Sequence, residues 1–293
     1  MKIIIICALM IVNLAIGILE GFGSQVPDDA DRLVQVGDIK MGYRTYGKGY
    51  PLVMIMGSGS TMKLWEPGLI RTLSSSFKLI VFDNRGVGKT EVGQRPFTIE
   101  QFADDTAGLM EALDIQQAHV LGWSMGALIA EEVALRHPDK VNRLVLYAAH
   151  CNADLFPPKP EVLQKLADRS GTPAEQGMRF ISLIFAPDWP QSHRERLKEI
   201  FFRPLGKISG KTAAKQSTAI GTWKGCCDRL DQITNPTLVI AGADDILVPS
   251  QNAPYLADKI PNAQLALYEN CGHGLMFQYP DKFSGKVIDF LKR

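Results

Sequence analysis

Ser124 lies in the run Gly122-Trp123-Ser124-Met125-Gly126, between a short apolar stretch at 119–121 and a helix-forming stretch at 127–135. A serine hydroxyl is a poor nucleophile at neutral pH unless an imidazole takes its proton during attack and later returns it to the leaving group. The flanking glycines fit that task. A nucleophile on a sharp turn adopts a strained backbone, and larger side chains beside it would collide with neighbouring backbone. The turn also aims the Met125 amide, at the start of the following helix, toward the place where a carbonyl oxygen becomes negative.

Five histidines are available as the base. His119 lies inside the strand leading to the turn, His137 opens a His-Pro-Asp turn, and His193 sits among charges; these read as structural or solvated. His150 follows the apolar run 144–146 and is placed to line a pocket. His273, in Asn270-Cys271-Gly272-His273-Gly274, occupies a loop between a strand near Leu265 and the final helix, and is the expected base. A neutral imidazole needs an orienting carboxylate that also stabilises the imidazolium as it forms. Asp244 and Asp245 both follow the run 238–240 and both qualify on position alone.

The elements that must hold these groups follow from the hydrophobic pattern. Short runs at 33–36 and 39–46 with turn residues between them predict an antiparallel hairpin. Continuous apolar runs at 52–56, 79–82, 119–121, 144–146 and 238–240 suit strands buried on both faces. Helical patterns at 99–113 and 127–136 alternate with them, which predicts a parallel sheet with right-handed crossovers. From about 151 to 228 the rhythm breaks into helix-like segments without a clear strand, as for an insertion at the sheet's edge.

Taken together, these motifs make the chain resemble the α/β-hydrolases over about residues 33–293. The resemblance implies a mostly parallel, doubly wound α/β sheet of about eight strands, with residues 24–293 as one domain carrying a helical cap at about 151–228. It implies the chain order serine, acid, histidine, with His273 last. The family's Gly-x-x-Asp-x-x-Val-Pro pattern, met by Gly242, Asp245, Val248 and Pro249, selects Asp245 over Asp244. Asp154 is the alternative acid, placed for relatives that carry it after the preceding strand. The second oxyanion donor is expected from the Ser58 amide, after Gly57, although Met56 stands where relatives usually carry histidine. Asp83, Arg85, Gly86 and Gly88 match a family loop that shapes the site without doing chemistry.

With serine rather than aspartate at the nucleophile position, the implied reaction is acyl transfer through an acyl-enzyme, and the expected substrate is a carboxylic ester of a small or medium acyl group. The alternatives are a slow or non-hydrolytic ligand-binding protein of the same fold and a haloperoxidase-like perhydrolase. The apolar patches at 180–185 and 200–202 either roof the acyl pocket or form core of the cap.

Composition narrows the classes further. Of 293 residues 46% are apolar and 22% charged, an ordinary globular mixture that needs no metal or disulfide to complete a core. Lys and Arg number 32 against 31 Asp and Glu, so no basic excess exists to neutralise a phosphate backbone, and nucleic acid is not expected as a partner. Gly88-Lys89-Thr90 imitates the end of a phosphate-binding loop, but the required earlier glycine is Asp83; Gly57-Ser58-Gly59 has Met62 where a dinucleotide fingerprint needs its third glycine. No cofactor is expected.

Residues 3–19 are almost continuously apolar behind Lys2, and residues 1–23 read as a signal peptide or an uncleaved membrane anchor. As a helix that stretch would rise about 26 Å, slightly short of a roughly 30 Å hydrocarbon core. Either form places the body outside the cytoplasm, periplasmic, secreted or attached to a membrane, where thiols can oxidise. Cys151, Cys226, Cys227 and Cys271 then allow three pairings, and their spacing does not fit a zinc site.

Overall fold

The computed structural model describes residues 30–201 and 203–293. The expected export segment lies outside the described residues. Within them, no helix is long and apolar enough to cross a membrane.

The strands are β1 (Arg32–Val36), β2 (Ile39–Tyr46), β3 (Pro51–Ile55), β4 (Lys78–Phe82), β5 (Ala118–Trp123), β6 (Val141–Tyr147), β7 (Thr237–Gly242) and β8 (Gln264–Tyr268). They form one sheet in the order β1-β2-β4-β3-β5-β6-β7-β8. β1 pairs antiparallel with β2, and β2 antiparallel with β4. Every remaining pair is parallel. The apolar runs became strands because both sides of the central ones are covered: β5 and β7 are buried along their whole length.

Alternate residues of each strand feed two separate cores. Val53, Ile55, Ile80, Phe82 and Val120 pack on one face, under α2 (Ile99–Ala112), α3 (Met125–Arg136) and α9 (Asn252–Lys259). Leu52, Met54, Leu79, Val81 and Leu121 pack on the other, under α1 (Pro67–Ser74) and α11 (Pro280–Leu291). Each such buried side chain contributes about 1.5–3 kcal/mol relative to exposure, and a one-residue slip in register would swap the two faces. Register is therefore fixed, and with it the place where each strand ends.

Between β6 and β7 the chain forms α4 (Pro160–Ala167), α5 (Pro173–Ile184), α6 (Trp189–Ser192), α7 (Arg194–Phe201) and α8 (Gly210–Thr222), and no strand among the described residues. Thr172 and Glu175 cap α5 reciprocally, and the Ser209 hydroxyl accepts from the Thr212 amide at the start of α8. This helical stretch was expected at the sheet's edge. It leaves after β6 and re-enters at β7, neighbouring strands that stand third and second from the β8 edge. Cys151 is bonded to Cys227 across the base of the stretch, with Cα atoms 4.9 Å apart, while Cys226 and Cys271 are free and buried.

The remaining helix, α10 (Leu275–Gln278), follows the His273 loop directly.

Candidate active site

Ser124 is the junction residue between β5 and α3, with φ 57° and ψ −124°. That left-handed backbone is costly for a residue with a side chain and persists only where the surroundings dictate it. Here they do. The Ser124 amide donates to the Tyr147 carbonyl at 2.9 Å. A Cβ on Gly122 would strike the Gly126 carbonyl oxygen, and one on Gly126 the Ile55 carbonyl oxygen. Both glycines thus allow α3 to pack directly onto the ends of β3 and β5, leaving the serine side chain projecting past the sheet.

His273 is held from three directions. Its carbonyl accepts from the Tyr147 hydroxyl at 2.6 Å and from the Trp123 indole at 3.2 Å. The neighbouring Gly274 amide donates to the Ile184 carbonyl at 2.7 Å, and the Gly272 amide to Gln278 Oε1 at 2.9 Å. Its ring nitrogen Nδ1 lies 2.7 Å from Asp245 Oδ2. Asp245 Oδ1 in turn accepts from the Leu247 and Val248 amides, each at 2.9 Å. Both side chains are buried. Asp154, the alternative acid, is exposed, and no hydrogen bond joins it to His273.

Ser124 and His273 lie on the walls of one pocket, together with Gly57, Ser58, Trp123 and Met125. The pocket encloses about 960 Å³ of atom-free space, part of it open to solvent. Most of its remaining wall is apolar, including Leu128 and Ile220, Leu163 and Leu166 of α4, and Phe180 and Ile184 of α5. The patch at 180–185 therefore divides. Phe180 and Ile184 face the pocket, whereas Phe185 stacks on Trp189 at 4.5 Å and belongs to the core. Of the patch at 200–202, Ile200 is buried and Phe201 packs on Phe277 at 6.1 Å; residue 202 lies outside the described residues.

Met125 is the first residue of α3, so its amide has no acceptor within the helix and is free for a ligand. Gly57 lets the opposite loop come close: a Cβ there would lie 3.3 Å from the Ser124 Cβ and 3.2 Å from the Trp123 carbonyl oxygen. That loop is fastened by contacts the sequence did not disclose. Gln216 of α8, fully buried, accepts from the Gly59 amide at 2.9 Å and lies 3.4 Å from the Ser58 hydroxyl. Asn84 donates to the Met56 carbonyl at 3.0 Å, and Asp83 accepts from the Met62 amide at 2.8 Å. Arg85 is buried between Asp105 and Asp38, at 2.7 and 2.8 Å, and touches no pocket residue's polar group. Nothing in the local sequence around Gln216 distinguishes it from any polar residue on a half-buried helix.

Burial sets the charge states around the pocket. His150 lies on its wall, and burial, reinforced by the nearby His273, brings its pKa down to about 4. His119, beneath Tyr50 and Phe77, is likewise brought to about 4 by burial. Burial pushes the Cys271 thiol up to about 12, and burial beside Glu131 raises Cys226 as well. Thiolate is the reactive form, so neither thiol is a nucleophile near neutral pH. Among the described residues, no group of three or more His, Cys, Asp or Glu side chains is placed to hold a metal ion.

A search against families of known sequence matches residues 50–280 to the alpha/beta hydrolase fold, and the chain belongs to that family. The "Putative carbamate hydrolase RutD" of Agrobacterium fabrum is 31% identical over 251 residues, covering 85% of this chain and 95% of that protein. The "Putative non-heme bromoperoxidase BpoC" of Mycobacterium tuberculosis is 30% identical over 277 residues, covering 86% of this chain and 97% of the relative. Among solved structures, a hydrolase from Pseudomonas aeruginosa superposes with a TM-score of 0.77 at 25% identity, covering 90% of this chain and 99% of its own. The chain is a hydrolase by family and by the hydrolase-named relatives among these.

Proposed function

We propose that the protein is a serine hydrolase that cleaves carboxylic esters of small or medium acyl groups. The observation that carries this reading is the 2.7 Å contact between His273 and Asp245, with His273 and Ser124 on the walls of the same pocket. Ser124 attacks the ester carbonyl while His273 takes its proton. The oxyanion is held by the Ser58 and Met125 amides, and collapse expels the alcohol, which takes the proton from His273. Water, deprotonated by the same imidazole, then releases the acid and restores the serine. Asp245 keeps the His273 proton on Nδ1, leaving Nε2 as the acceptor, and stabilises the imidazolium. The two amides act where negative charge develops, and one such donor typically supplies about 2.7–4 kcal/mol of transition-state stabilisation. Helices α4, α5 and α8 act as a cap: the apolar pocket walls from α4 and α5 support binding of the acyl chain by burial.

The test is fluorophosphonate labelling together with steady-state turnover of nitrophenyl esters of increasing acyl length, with a phenyl carbamate included because the same acyl chemistry applies. Wild type is expected to label once and turn over repeatedly, and Ser124→Ala to do neither while remaining folded. Labelling without repeated turnover would instead identify a slow binding protein.

A second reading is favoured by the 30% identity to the bromoperoxidase-named relative. In it, hydrogen peroxide replaces water in the second step and the acyl-enzyme yields a peracid, which oxidises halide. Peroxide-dependent halogenation in acetate buffer identifies this route. For location, the Cys151–Cys227 bond supports an oxidising compartment outside the cytoplasm, and cell fractionation tests it.

A further inference from the structure

Leu163 of α4, Phe180 of α5, Ile220 of α8 and Leu247 after β7 all line the pocket, and each is only partly buried. Leu247 also packs against Val162, Leu166 and Leu183, which joins the loop after β7 and the cap helices into one apolar surface. A ligand that covers such a surface with apolar groups gains by removing it from water. Among the described residues, the same wall carries no Lys, Arg, Asp or Glu side chain.

The cations that stand near these residues along the cap are engaged elsewhere. Arg179, next to Phe180, pairs with Asp168 at 3.1 Å and donates to the Ser170 carbonyl at 3.2 Å. Arg169 donates to the Leu166 carbonyl at 2.7 Å. Lys215, one turn before Ala219 and Ile220, lies over the Phe97 ring at 4.7 Å. His150 adds no charge near neutral pH, because burial brings its pKa down to about 4. The carboxylate behind the wall, Asp245, is fully buried against His273, and its charge has the same sign as that of an acidic ligand.

An acidic group pressed against this wall would lose its hydration and find no cation in return, which is unfavourable. Selection of this kind works by penalising the wrong ligand as much as by holding the right one.

We propose that the pocket excludes acidic groups, so that the substrate is an ester whose enclosed part is an uncharged, apolar chain without carboxylate, phosphate or sulfate. This rests on the ester-hydrolase reading above and names the substrate class within it.

The test compares kcat/KM at neutral pH within two matched pairs. Methyl hexanoate is set against monomethyl adipate, which carries a carboxylate at the end of the acyl chain. Propyl hexanoate is set against carboxymethyl hexanoate, which carries it on the alcohol. Wild type is expected to favour the uncharged member of at least one pair by about a hundredfold, the scale of a desolvated charge left without a partner. Leu163→Arg and Ile220→Arg each set a guanidinium on the wall. At least one of them is expected to raise kcat/KM for the rejected carboxylate ester by about tenfold while lowering that of its uncharged partner. Leu163→Gln, polar but uncharged, is expected to lower the uncharged ester without that rise. A merely structural effect would lower both members of a pair together, and a ratio unchanged in both Arg variants overturns the proposal. Turnover of the uncharged esters with less than about tenfold discrimination in both pairs overturns this inference alone. No turnover of any of the four overturns the ester reading and the inference with it.

Discussion

Asp245 uses both its oxygens, which makes Asp245→Asn a sharp probe of how the imidazole is held. Oδ1 accepts from the Leu247 and Val248 amides at 2.9 Å each, and Oδ2 faces His273 Nδ1 at 2.7 Å. Asparagine has one oxygen and one NH2 to place at these two positions. Turning the NH2 toward the backbone would set donor against donor twice. Leaving a buried donor unsatisfied costs about 1–3 kcal/mol, so this orientation is disfavoured by roughly 2–6 kcal/mol. The oxygen therefore stays with the two amides and the NH2 points at His273. The imidazole must then accept at Nδ1 and carry its proton on Nε2, the atom that has to receive the proton of Ser124. The competent tautomer survives only by imposing the disfavoured amide orientation, and 2–6 kcal/mol corresponds to a loss of roughly 30-fold to more than 10⁴-fold at about 1.4 kcal/mol per factor of ten. A fall in kcat of about 10³ to 10⁴ is expected, as for wrong-tautomer variants of other triads. The assay is nitrophenyl ester turnover with kcat and KM separated, beside a thermal melt within a few degrees of wild type. A folded Asp245→Asn protein that keeps more than a tenth of the wild-type kcat refutes the reasoning.

Three further outcomes are expected. Gln216→Leu removes the acceptor for the Gly59 amide and is expected to lower kcat about tenfold with a smaller change in KM, because it loosens the loop carrying the Ser58 amide; unchanged kcat counts against Gln216 as a positioning residue. Gly126→Ala places a Cβ against the Ile55 carbonyl oxygen and 2.9 Å from that of Met56, and overpacking of this kind costs about 1–3 kcal/mol, read as a lower midpoint in urea unfolding. The His119 pKa is about 4 in the fold against an ordinary 6.5, so its contribution is present above pH 6.5 and is lost as pH falls toward 4; wild type is expected to lose about 3 kcal/mol more than His119→Phe across that window, and parallel pH–stability curves for the two proteins overturn this account.

Much of the sheet was legible because its strands are short apolar runs buried on both faces, and the runs at 79–82, 119–121 and 238–240 lie inside β4, β5 and β7. Boundaries moved by one to three residues where polar or small residues extend a strand, as Asn142 and Arg143 do at the start of β6. Ser124, Asp245 and His273 stood out because turn chemistry and motif spacing mark them locally. The supports of the site did not. Gln216 acts over 157 residues on Gly59, and Tyr147 over 126 residues on the His273 carbonyl; such pairings depend on tertiary approach and leave no periodic trace. The cysteines show the same limit. Spacing allowed three pairings, and only the meeting of the two ends of the helical stretch selects Cys151 with Cys227. His150 was recognisable as a residue near the pocket, but the loss of basicity that burial imposes on its ring is a property of its neighbours.

The Cys151–Cys227 bond spans 76 positions and brings its two Cα atoms within 4.9 Å. The polypeptide between them is therefore a closed loop hung from a single point on the sheet. A protease that nicks this loop once leaves the molecule in one covalent piece, visible as two fragments only after reduction. The same closeness of its ends makes the loop a replaceable cassette: a shorter or longer stretch of chain could be grafted at that point without moving β6 or β7, so the roof over the pocket can vary while the floor that carries Ser124 stays fixed.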